Sequence, residues 1–400
     1  MLRLFVSSLL VAVALTSCVQ KDIPSVDREN LFRLSIGRME DQVDLFKLEG
    51  RSRPRKTRIA MRDGIVYLAD GNGSKVVRYT SYGDLLSMIY DPENNPPPLT
   101  LKTDFAESDV VTRRAVPYPL NEAGEIAVNS RKDMYVEDRL SPERRTYDAN
   151  KRTMLDQVVL KFDNDGKFIE YLGQEGVGGT PFPMITGIHV SQYDELVVIC
   201  RHIAGWNVYW FDKDGNLLYL VLIERDDLPL PPGRRSKPSL ERIIPAVDDR
   251  KLYLKIDYYK DTVDESTNMR SGIGYDGSML WTMDVKTGAY TASMDVPVLE
   301  KRETEGDKKI QAEHIYSFLG AARGEKFFFS VPDSGGYALL VLSAGSPEQK
   351  RGYIRVDDEE LVFNAFYLSD DGILSALLAT EYEANIVWWR TDRMVGEPRA

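Results

Sequence analysis

The sequence predicts an all-β chain: a six-bladed β-propeller of four-stranded antiparallel blades, its ring closed by an N-terminal strand. Three observations carry this. A motif of apolar strand, tight polar turn and more strongly apolar strand occurs six times. Each occurrence leads into a second pair of strands, the last of them incomplete. One lone apolar strand precedes the first occurrence. A single four-stranded unit cannot bury both of its faces, whereas a ring of them can, so the repeats make one domain.

The chain opens on MLRLFVSSLLVAVALTSC. Arg3 supplies positive charge, and the apolar run from Leu4 to Leu15 is too short for an ordinary membrane span. Residues 1–17 therefore read as a secretory signal peptide. Leu15-Thr16-Ser17-Cys18 resembles a bacterial lipobox, with small residues at 16 and 17 that are not the commonest ones there. The resemblance implies cleavage before Cys18 and its lipid attachment. Residues 18–30 then read as a polar tether, and 31–397 as the propeller. The one other cysteine is Cys200, so a lipidated Cys18 leaves no internal disulfide. Cys200 ends the apolar ELVVIC and reads as a buried, inert thiol.

LFRLSIG, residues 31–37, is patterned like FIEYLG at 168–173. It is the strand missing from the last repeat, and its donation removes an open edge. The six first hairpins, strands A and B, span 58–69, 125–138, 187–200, 242–257, 316–331 and 365–380. Turn pairs such as Asp63-Gly64 and Asp371-Gly372 mark their tips. The second hairpins, strands C and D, follow at 75–90, 157–173, 207–223, 279–296 and 338–356; the sixth stops after NIVWWRTDR. A seventh blade built from residues 91–124 is the alternative count.

IVYLADGNGSKVVRYTSYGDLL, through Asp70, Gly83 and its flanking strands, resembles the NHL-type propeller repeat. DMYVED and QVVLKFDNDGKFI carry the same resemblance across a long insertion. With the lipobox, FRLSIGRMEDQVDLF and SYGDLLSMIYDPENNPPP, the chain resembles propeller lipoproteins of spirochaetes, which have no established activity to transfer.

In such meanders the A–B and C–D turns share one face of the ring, and the B–C and D–A loops share the other. The first set is short. The second holds nearly all the extra chain: 91–124, 174–186, 224–240 and 297–313 between blades, 139–156 and 258–276 within them. Long loops on one face mark an interaction surface. That face carries basic pairs, among them Arg144-Arg145 and Arg234-Arg235, and Trp206 after Gly205 in a B–C loop. These are the ligand-binding candidates. The bland reading of the basic pairs is a solvated surface of mixed charge.

No catalytic residue and no metal or cofactor site is expected. His189, His202 and His314 are scattered, and a metal needs convergent ligands. DNDG and DKDG lack the later ligands of a calcium loop and read as hairpin turns. The starts of the A strands, where an enzymatic propeller would place inward ligands, are mostly apolar: Ile59, Ile126, Ile188, Ile243, Phe318 and Phe366. The formal net charge of −11 argues against nucleic acid as a partner. The expectation is a cell-envelope lipoprotein, held to a membrane through its lipid, whose loop-rich face binds an envelope protein or polymer. A carbohydrate-binding module and a lactonase- or lyase-like enzyme are the rival readings.

Overall fold

The computed structural model describes residues 23–46, 55–104, 112–149, 151–231, 233, 235–263, 269–305, 308–360 and 362–395. Six antiparallel meanders follow one another around a ring. Blade 1 consists of Thr57–Arg62, Ile65–Asp70, Lys75–Thr80 and Leu85–Tyr90. Blade 2 consists of Ile126–Val128, Met134–Arg139, Gln157–Phe162 and Phe168–Gly173. Blade 3 takes Met184–Val190, Leu196–Arg201, Gly205–Phe211 and Leu217–Glu224. Blade 4 takes Lys237–Pro245, Lys251–Val263, Arg270–Asp284 and Tyr290–Val296. Blade 5 is Ser317–Ala322, Lys326–Asp333, Gly336–Ser343 and Lys350–Arg355. Blade 6 has Phe363–Leu368, Leu374–Ala379 and Glu383–Trp389, and its outer strand is the N-terminal Arg28–Ile36.

The alternation in each strand serves two packing faces at once. One set of side chains meets the preceding blade and the other set the following blade. Apolar cores accordingly form between neighbours: Leu68 with Ile386, Tyr67 with Val136, Val159 with Val198, Ile199 with Leu254, Tyr253 with Phe327, and Leu339 with Trp389. Turn chemistry fixes the hairpins. Asp63 and Gly64 both have positive φ, 50° and 72°, the backbone of a tight two-residue turn. Gly83 turns at φ 88°, and a Cβ there would lie 2.7 Å from the Cβ of Phe32 on the closing strand. Closure therefore needs a glycine at this position.

Two sequence expectations are corrected, and the alternative blade count is not met. The polar tether was expected to reach Asn30, but the backbone is already paired at Pro24: Tyr353 N donates to Pro24 O at 2.9 Å and Val26 N to Tyr353 O at 2.8 Å. The unsatisfied outer edge of blade 5 attracts this segment. The described residues between 91 and 124 give one short strand, Arg114–Pro117, laid parallel on the edge of blade 1, and not the seventh blade of the alternative count. Several long insertions are hairpins rather than loops. Thr146–Asp148 pairs with Thr153–Leu155, Leu299–Glu305 pairs with Lys308–His314, and the B and C strands of blade 4 run on as a ladder to Val263 and Arg270. All three project from the B–C and D–A face. The sequence expectation that this face holds the extra chain agrees with their placement.

The connection into blade 2 is pinned by Asp138, whose Oδ1 accepts from the backbone N–H of Asn121 at 3.0 Å and Glu122 at 2.8 Å. Burial raises its carboxyl to about 6 despite these bonds. The raised value means that its stabilising contribution is full below about pH 4, the ordinary carboxyl range, and is lost as pH rises through about 6. Asp138→Asn removes this titration. The melting temperature of the variant minus that of the wild type should be more positive at pH 7.5 than at pH 4.5; a constant difference in calorimetry would count against the assignment.

Candidate functional site

The inner strands bring a charged cluster to the ring axis. The apolar positions Ile59, Ile126, Ile188, Ile243 and Phe318 are buried between blades. Their neighbours Arg58, Glu125, His189 and Arg242 line the channel, together with Leu319 and Tyr367. The expectation that the starts of the A strands are mostly apolar therefore leaves out a charged set that stands beside those apolar positions. Ile59, Ile126, Ile188 and Phe366 also border the channel. Both faces of a propeller strand are buried, so hydrophobicity alone does not say which positions reach the axis.

Arg58 Nε donates to Glu125 Oε1 at 3.0 Å, and Lys56 Nζ lies 3.4 Å from the same oxygen. Lys56 also donates to Glu137 Oε2 at 2.7 Å and to Ile185 O at 2.8 Å. Glu137 in turn accepts from the backbone N–H of Glu125 at 2.9 Å. A side chain at Gly124 would put its Cβ 2.5 Å from Glu137 Oε2, so this glycine makes room for the carboxylate. Burial works to raise Glu125, but Arg58, Lys56 and Arg242 outweigh it and hold the carboxyl below its ordinary value. For Glu137 burial prevails over Lys56, with the charge of Glu125 adding to it, and its carboxyl is raised.

Inner strands of successive blades lie close together around the ring, except those of blades 3 and 4, which approach each other less closely. There a cavity of about 280 Å³ opens toward the insertion face. Trp206, Arg201, His189, Glu241, Arg242 and Glu125 are on its wall. The Arg201 guanidinium stands 6.0 Å from the Trp206 ring centroid. Arg242 Nη1 donates to Phe318 O at 2.9 Å, and Glu241 Oε2 accepts from Phe318 N at 3.2 Å. Burial pushes Glu241 up, against the pull of Lys255. Burial, and then the charge of Arg242, lowers His189 to about 4, so its imidazole is neutral near pH 7. The arrangement offers an aromatic wall, two guanidinium groups and a neutral imidazole.

Trp206, expected in a B–C loop, lies instead within strand C of blade 3, Gly205–Phe211, where it packs on the core shared with blade 4 and lines this cavity, because the strand pairing runs on to Arg201. Arg144 ends a short 3-10 turn, Pro142–Arg144, and Arg145 follows it, donating from Nε to Leu140 O at 2.8 Å. Arg235 is exposed before blade 4. None of these arginines lines the Trp206 cavity. Arg234 and Cys18 lie outside the described residues. Sequence reasoning missed Arg201, Glu241 and Arg242; the signal for the last two was a charged pair directly before an apolar inner strand. Among the described residues no group of three or more His, Cys, Asp or Glu side chains is placed to hold a metal. Asp163 Oδ1 accepts from Asp165 N and Lys167 N, both at 2.9 Å, and Asp212 does the same for Asp214 and Asn216. Both turns are closed by their own carboxylates. Cys200 is fully buried and its thiol is raised by burial. The opposite face has a cavity of about 290 Å³, where Arg323 is held by Asp371 at 2.5 Å.

No protein-family profile matches the chain, and no curated protein matches it in sequence. Solved structures similar to it include the Pan2 WD40 domain of Neurospora crassa, at 9% identity over 92% of this chain and 97% of that one, TM-score 0.41. A gluconolactonase from Xanthomonas campestris is similar at 12% identity over 83% and 87%, TM-score 0.39. The β-propeller domain of the Trilobed protease from Pyrococcus furiosus is similar at 10% identity over 86% and 95%, TM-score 0.38. The six-bladed propeller of mostly four-stranded antiparallel blades is read from the strand pairing of this chain itself.

Proposed function

We propose that this chain is a lipid-anchored protein of the bacterial envelope, and that its propeller binds an envelope protein or polymer through the face bearing the inserted hairpins. The observation that carries this is the asymmetry of the ring. Three hairpins project from one face, while the other is closed by turns of a few residues. A rigid ring holding variable projections in one plane suits recognition.

Arg28 pairs with Trp389, at the end of its strand beside the turn face, and Ile36 lies at the insertion face. A lipid on Cys18 would stand six residues before Pro24, a reach of roughly 20 Å when extended. So short a leash keeps the propeller close to the membrane.

Cross-linking in intact cells, with capture through a C-terminal tag and mass spectrometry, tests the reading. The wild type should yield one predominant envelope partner. Replacing residues 142–154 by a short glycine link, or trimming 299–314, should remove it, and Cys18→Ala should release the protein from the membrane. An unchanged capture after both trims would overturn the hairpin-face reading.

A further inference from the structure

The cavity between blades 3 and 4 has a chemistry that the hairpins do not account for, and none of the hairpin residues lines it. Its wall sets Arg201 and Arg242 beside Glu125 and Glu241. Glu125 already serves Arg58 and Lys56. Glu241 Oε2 accepts from the Phe318 backbone N–H. Arg201 is exposed at the rim, and Arg242 spends one nitrogen on Phe318 O. Arg201 and Arg242 thus both face this space, while Glu125 is shared with Arg58 and Lys56 and Glu241 bonds the Phe318 backbone. A guanidinium favours a carboxylate partner through charge-assisted, paired hydrogen bonds.

The rest of the wall narrows the class. Trp206 is half-buried and offers an apolar surface beside these cations. His189 has no hydrogen-bond partner among the described residues and, being neutral, presents one donor and one acceptor. A ligand that satisfies all of these has one carboxylate, several hydroxyls and an apolar ring face. The volume of about 280 Å³ fits a single six-carbon unit. We infer that this cavity binds a sugar acid, a hexuronate free or at the end of a polymer, with its ring against Trp206 and its carboxylate on Arg201 and Arg242. This deepens the envelope-binding reading by naming a ligand chemistry, yet it stands on different residues.

The test is calorimetric titration of the full chain in detergent with glucuronate, glucose and acetate. The wild type should bind glucuronate, and bind glucose and acetate about tenfold or more weakly. Trp206→Ala and Arg201→Gln should each weaken glucuronate by about tenfold. Arg201 is exposed, so its variant keeps the fold, which the melting temperature verifies. Absence of glucuronate binding, equal binding of glucose or acetate, or unchanged binding by both variants overturns the proposal. Cellular capture that depends on the hairpins, without glucuronate binding, sinks this proposal alone. Glucuronate binding without hairpin-dependent capture sinks only the hairpin reading.

Discussion

Removal of residues 1–36 should abolish the cooperative unfolding transition of the propeller. The closing strand pairs with Glu383–Trp389 along nearly its whole length, from Arg28 to Ser35. Without it the last blade ends in an open edge, and the apolar contacts of Leu34 and Phe32 with blade 1 are lost. Arg28 also forks onto Glu360, with Nη2 donating to Oε1 at 2.7 Å, and Asn385 Nδ2 donates to the same oxygen at 2.9 Å. Its loss strands a buried carboxylate. Leu34→Ala alone should cost about 2–5 kcal/mol, since Leu34 is 4% exposed and its site is walled by Ile386 and Ala384. Denaturant unfolding followed by circular dichroism and calorimetry reads both. A truncated chain that unfolds at the wild-type midpoint would mean that five complete blades hold the ring without closure.

This closure was legible in the sequence for a physical reason. A lone apolar strand running into a glycine, with no hairpin partner nearby, has to find its hydrogen bonds elsewhere. The hairpin register was legible too, because Asp-Gly pairs such as Asp63-Gly64 fix it locally. The site was much less so. Arg58 and Ile59, Glu125 and Ile126, or Arg242 and Ile243 are neighbours whose side chains leave opposite faces of a strand. Only the placement of adjacent blades decides which face meets the axis. Trp206 could be singled out because it follows Gly205 where a B–C loop was expected. Arg201, the last residue of strand B in blade 3, gave no local sign of standing beside it. The inserted hairpins escaped for another reason. Thr146–Asp148 and Thr153–Leu155 are three residues each, too short for an alternation to register. The tether ran too long because VQKDIPSVDREN is polar, while its pairing at Ser25 is made by backbone and leaves composition untouched.

Lys75→Met should destabilise the protein by about 3–5 kcal/mol, the range for removing one member of a buried charged set. Lys75 is fully buried in blade 1, and its ammonium donates to Met39 O at 2.6 Å and Arg38 O at 3.3 Å. It thereby ties the chain after the closing strand to the blade. Asp70 works on the same segment: its Oδ2 accepts from Asp44 N at 2.8 Å, and its Oδ1 caps the turn through Gly73 N at 2.9 Å. Burial raises Asp70 to about 6, and Lys75 is the main influence holding it from rising further. Taking Lys75 away removes that restraint, so Asp70 in the variant keeps its proton to higher pH. A raised carboxyl contributes stability that is lost as pH climbs through its folded value. The penalty of Lys75→Met should therefore be smaller at pH 5 than at pH 8. Adding Asp70→Asn should recover part of the loss at pH 8, with a coupling of about 0.5–3 kcal/mol in a double-mutant cycle. Additive losses, equal at both pH values, would mean that Lys75 acts only through the Arg38 and Met39 carbonyls. Non-additivity that grows with pH would identify the buried charges as the link through which the closing segment and blade 1 stabilise each other.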